Sequence, residues 1–95
     1  MAMRIGALKI QLEIPGSLSL KDKRMVIRSL KERLANKFNI SIAEVDDNDK
    51  WQRSCLGVAI VSNDRSFIDT VLNKIVNFID CEKDVLILKT EKDIL

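Results

Sequence analysis

SLKDKRMVIRSLKERLANKF, residues 19–38, carries the signals of an amphipathic helix along its whole length. Leu20, Val26, Ile27, Leu30, Leu34 and Phe38 recur with a period of about 3.6 residues and fall on one stripe. Ser19 stands where an N-cap belongs, and Asp22, three residues on, is a short version of the reciprocal capping partner. Phe38-Asn39 is a suitable end, because Asn tolerates the left-handed conformation that closes many helices. Beside the stripe, Lys21, Arg24, Arg28 and Lys31 recur at i, i+3, i+7 and i+10, which sets four cations in a row on one flank. Arg33 and Lys37 lie on the other flank.

Upstream of the helix, Met3–Ile14 alternates. Leu8, Ile10, Leu12 and Ile14 point one way and Ala7, Lys9, Gln11 and Glu13 the other, as in a strand with one buried face. Pro15-Gly16 ends it. Downstream, Ile40–Val45 alternates again, and Asp46-Asp47-Asn48-Asp49 reads as a turn. Trp51–Ser62 is apolar on both faces, which predicts a central strand. Asn63 or Asp64 caps a second helix running to about Asp80, with an apolar face of Phe67, Ile68, Val71, Leu72, Ile75, Phe78 and Ile79. Asp84–Glu91 is a last strand built on Val85, Leu86, Ile87 and Leu88, and the tail to Leu95 frays or extends the edge. The order β-α-β-β-α-β predicts an α+β, ferredoxin-like plan: one domain spanning residues 1–95, with a four-stranded antiparallel sheet, two helices on one face, and strands one and three central.

Composition narrows the function. No apolar run approaches the roughly 20 residues that span a bilayer, and the N-terminus lacks a signal-peptide layout. The expectation is a cytoplasmic protein without a membrane partner. The chain has no His, and its two cysteines, Cys55 and Cys81, form no CxxC pair. A structural zinc site is not expected, and two buried free thiols are. The net charge of +2 hides an asymmetry: residues 19–38 hold seven cations against Asp22 and Glu32, so the remainder is net acidic, much of it in Glu44, Asp46, Asp47 and Asp49.

Catalytic chemistry is hard to place. Without His, acid–base work would fall to carboxylates, Lys or Cys. Glu44 and Asp46, two apart on a strand, share a face and with Asp47 and Asp49 offer oxygen ligands, but such acidic hairpins are usually solvated turns. Cys55 has no base to activate it. Gly6, Gly16 and Gly57 are isolated and make no phosphate loop. No enzyme activity, metal, cofactor or small-molecule substrate is expected. RNA-recognition domains of similar plan stack bases on aromatics of strands one and three. Here strand one has none and strand three only Trp51 at its start, so stacking on the open sheet face is not expected. Two readings remain. The row Lys21, Arg24, Arg28 and Lys31 suits a phosphate backbone, with Glu32 placed to pair with Arg28. The open sheet face, mixed and partly apolar, suits a homodimer.

Ser19-Leu20-Lys21 with Lys23-Arg24, then Phe38-Asn39, Ala43-Glu44-Val45-Asp46, Trp51-Gln52-Arg53 and Val61-Ser62-Asn63-Asp64, together resemble the YlxP-like family, a bacterial domain of unknown function (DUF503), over nearly the whole chain. The resemblance implies a ferredoxin-like fold with no established activity. In many bacteria genes of this family lie among those for translation initiation factor two and ribosome-binding factor A, which points to RNA or a ribosomal particle as partner. The same marks single out two places. Lys21, Lys23 and Arg24 open the helix, and Glu44, Asp46, Trp51 and Arg53 outline an interaction hairpin. If hairpin and helix start meet, part of this charge is a structural network and the functional reading weakens.

Overall fold

A computed structural model describes residues 2–95. It contains β1 (Arg4–Glu13), α1 (Leu20–Lys37), β2 (Ser41–Asp46), β3 (Arg53–Ser62), α2 (Arg65–Asp80) and β4 (Leu86–Ile94). The four strands form one antiparallel sheet in the order β2-β3-β1-β4, the ferredoxin-like arrangement. β1 and β3 are central and pair from Arg4 with Ser62 to Glu13 with Arg53.

The strand alternation decides what the helices cover. Leu8, Ile10, Leu12 and Ile14 of the first strand segment, with Leu56, Val58 and Ile60 of β3, are buried under Ile27, Leu30 and Leu34 of α1 and Ile68, Leu72, Ile75 and Ile79 of α2. Each such side chain contributes about 1.5–3 kcal/mol by leaving water. Gly6 shares this face. A Cβ there would collide with Ile68 and Ile60, so its lack of a side chain is what lets α2 approach β1.

Several boundaries differ from the sequence reading, each for a local reason. The cap of α1, Phe38, is extended (φ −125°, ψ 144°), and Asp47 is the one non-glycine residue with positive φ among those described. The helix therefore runs straight into an extended segment and Asn39 makes no left-handed closure. Cys81 is exposed rather than buried, because it caps α2 and donates its N–H to Asn77 beyond the packed face. β4 starts at Leu86 and continues to Ile94, so the tail extends the edge; Val85, just before it, is the buried member of the apolar run. β3 begins at Arg53, which leaves Trp51 in the hairpin and off the sheet.

Candidate functional site

The start of α1 and the β2–β3 hairpin meet. Ser19 caps the helix by accepting from the Asp22 N–H at 3.1 Å. Asp22 in turn accepts from Leu18 at 3.0 Å, one residue earlier than a reciprocal capping box would have it. One residue on, Lys23 is 0% exposed. Its ammonium donates to the carbonyls of Asp47 (2.8 Å) and Asn48 (3.2 Å) and sits 3.1 Å from Glu44 Oε2. Glu44 Oε2 also accepts from Ser54 Oγ at 2.6 Å. The Lys23 ammonium thus has three oxygen partners, one of them a carboxylate, which is what makes a buried charge tolerable. Ser54 is itself fully buried, so this Lys–Glu–Ser chain is closed to substrate in this conformation.

The loop before α1 is tied to the same hairpin. Gln52 Nε2 donates to Pro15 O (3.2 Å) and Ser17 O (3.0 Å), and Ile14 N donates to Gln52 O at 2.9 Å. The hairpin is therefore anchored on both sides of its tip. Asp47, with φ 62°, turns the tip over so that its carbonyl faces Lys23.

This geometry corrects two expectations. Lys23 does not belong with the cations offered to a partner; it is consumed inside the protein. Its place was visible in the spacing, since Lys23, Ile27, Leu30 and Leu34 repeat at i, i+4, i+7 and i+11, the centre of the buried stripe. Glu44 and Asp46 do not share a face. A bulge between them leaves Glu44 opposite Leu56, on the helix side, and Asp46 opposite Cys55, on the other. Arg53 lies across from Glu13, 3.9 Å away in an exposed pair. Among the described residues, no three His, Cys, Asp or Glu side chains are placed to hold a metal ion.

The remaining α1 cations sort cleanly. Arg33 is bonded to Glu82 through two oxygens, and the pairing holds its guanidinium pKa above the usual value. Lys37 sits over the Phe78 ring, 5.2 Å from its centroid. Lys21, Arg24 and Arg28 are exposed and Lys31 is half-buried. None of these four has a hydrogen-bond or ion-pair partner among the described residues, and Glu32 does not reach Arg28. At about 1.5 Å of rise per residue the row spans roughly 15 Å. Arg33 and Lys37 face α2, so the row lies on the opposite flank of α1.

The open face of the sheet has another character. Ala7, Ser41, Ala43, Gly57 and Ala59 floor a shallow trough of about 610 Å³, edged by Val45, Lys9 and Glu91. A Cβ on Gly57 would press on Val45, which leans in over it. Val45 and Val61 are more than half exposed, while Cys55 on the same face is 1% exposed. Burial pushes the Cys55 thiol pKa up; Lys9 opposes this and Asp46, Asp47 and Glu91 add to it.

Fold and surface together define a small ferredoxin-like α+β protein with a basic helix flank, a clamped hairpin and a bare sheet face. The chain belongs to the DUF503 family, described as a protein of unknown function, whose model matches residues 5–92. It is 40% identical over 76 residues to the uncharacterized protein YlxP of Bacillus subtilis (strain 168), covering 80% of this chain and 83% of that protein. A de novo designed protein, Foldit4, superposes with a TM-score of 0.58 over 98% of this chain and 96% of its own, at 14% identity, a likeness of fold alone.

Proposed function

We propose that this protein binds RNA, or a ribosomal particle through its RNA, along the flank of α1 formed by Lys21, Arg24, Arg28 and Lys31. One observation carries the reading. Of the seven cations in residues 19–38, Lys23 and Arg33 are neutralised by carboxylates and Lys37 lies over an aromatic ring; the four left over are the row. Charges dispersed for solubility would not be expected to sort in this way. A straight row of unpaired Lys and Arg matches a phosphate backbone, whose condensed counterions are released on contact. The meeting of helix start and hairpin withdraws Lys23 and Glu44 from this surface and leaves the row intact.

The test is titration of the protein with total ribosomal RNA at several salt concentrations. Four phosphate contacts give a log–log salt slope near −3, so affinity should fall roughly 50-fold between about 50 and 200 mM salt. The variant with Lys21, Arg24, Arg28 and Lys31 all replaced by Ala should fold and lose most of that slope. Unchanged binding by a folded quadruple variant sinks the reading.

A second reading rests on the open sheet face. The trough and the exposed Val45 and Val61 suit a second copy of the chain, giving a homodimer. It does not compete with the first, because α1 and the trough lie on opposite faces of the sheet.

A further inference from the structure

Trp51 is the protein's one tryptophan. It stands in the hairpin between two anchors, the Asn48 carbonyl on Lys23 and the Gln52 amide on Pro15 and Ser17. Those anchors hold the hairpin that carries Trp51 to the segment that opens α1, the segment to which Lys21 and Arg24 also belong. Yet 56% of Trp51 is exposed. A large ring carried on an anchored hairpin, but not used in the core, presents a flat apolar surface.

The charges around it also bear on what it can hold. Lys23 answers Glu44, Lys50 answers Asp47 at 3.2 Å, and Asp46 Oδ1 accepts the Asp47 N–H at 2.8 Å. Asp49 alone of the hairpin acids has no partner among the described residues. A phosphate would avoid the tip, but a base is uncharged and needs only a ring face.

We infer that Trp51 is a base-stacking platform at the head of the basic row, so that the RNA taken is a strand with an unstacked base beside the row rather than a continuous duplex. The inference rests on the RNA reading above and adds its substrate class. The backbone follows Lys21, Arg24, Arg28 and Lys31, and a base turned out of the strand lies on the indole. Stacking of this kind tolerates any base, since each has a π face. A closed duplex keeps its base faces internal and can use only the row.

The single tryptophan makes the experiment direct. The full chain is titrated at low salt with an oligouridylate, whose bases are poorly stacked, and with a blunt RNA duplex of equal length. Trp51 fluorescence and the anisotropy of a labelled RNA are read together. The single strand should quench Trp51 and the duplex should not. Trp51→Ala should weaken the single strand about 5- to 150-fold and leave the duplex unchanged. Trp51→Phe, which keeps a ring, should recover most of the loss. If the single strand binds without quenching and Trp51→Ala binds it as well as the parent, the platform is wrong while the RNA reading stands. Equal weakening of both RNAs by Trp51→Ala also overturns it, since that marks a role in holding the hairpin. If neither RNA binds the parent protein, the RNA reading falls and takes the platform with it.

Discussion

Cys55 and Cys81 are the same chemical group in opposite surroundings. Cys81 ends α2 in solvent, whereas Cys55 is covered on a central strand and its thiol pKa is pushed up, chiefly by burial. The thiolate is the reactive form, so both access and ionisation protect Cys55. Brief alkylation of the native protein at about pH 8, where a free thiol begins to ionise, should add one group, at Cys81, by mass spectrometry. Denaturant should add the second. Equal labelling of both in the native state would mean that β3 opens readily. The raised pKa also has a sign: above the ordinary thiol range the unfolded chain ionises at Cys55 and the folded one resists, so this group lowers stability as pH rises. That β3 would be a central strand was legible from its apolar composition, although on the open face only Cys55 is buried and Ala59 and Val61 stay exposed. That Cys81 would not be buried was not legible, because the end of a helix is set by where its last carbonyls find donors and not by the residue's own polarity.

The elements were legible where periodicity is strong. β1, α1 and α2 each repeat their apolar residues often enough to set both type and buried face. What periodicity does not show is an interruption in pairing. The bulge at Val45 is invisible in an alternating run, yet it separates Glu44 from Asp46 and sends Glu44 to Lys23. Lys23 shows a related difficulty. A lysine on an apolar stripe looks like a flaw until a carboxylate and two carbonyls on another element are known to meet it. Its contribution can be measured. Lys23→Met should fit the stripe sterically and leave the Glu44 carboxylate buried without its cation. Loss of one partner of a buried pair costs about 3–5 kcal/mol. Glu44 keeps some access to water and its bond from Ser54, so about 2–4 kcal/mol is expected, a Tm drop on the order of 10 °C or more. Lys23→Met with Glu44→Leu should recover part of it, because the stranded charge is removed too. Both are read from urea melts. A Lys23→Met variant as stable as the parent would show that the hairpin is not held by this contact.

At the scale of the whole molecule, the proposed homodimer can be weighed against the surfaces the sheet offers. The edges are poor candidates for pairing: β2 has six residues and a bulge, and β4 carries Lys89 and Lys92 with its own register shift opposite Gln11 and Leu12. The face is better suited. Three strands roughly 30 Å long and β2 at about 20 Å, spaced about 4.8 Å apart, offer on the order of 600 Å². Two copies then bury about 1,200 Å², the lower end of what stable complexes use. Its charges suit self-association, since Lys9, Lys89, Glu91 and Asp93 place both signs along β1 and β4 beside an apolar β2 and β3. An interface of that size implies a dimer that forms and dissociates with concentration. Sedimentation velocity over a wide concentration range should show a shift from monomer to dimer, and Ala59→Arg, at the floor of the trough, should hold the protein monomeric without changing its melting point. A parent that stays monomeric throughout excludes this use of the face. The quadruple variant of the α1 row should dimerise as the parent does, because the row and the trough lie on opposite sides of the sheet. A dimer would then carry two rows, so an RNA long enough to reach both should bind more tightly than a short one. Ala59→Arg should remove that length dependence while preserving the affinity for the short RNA.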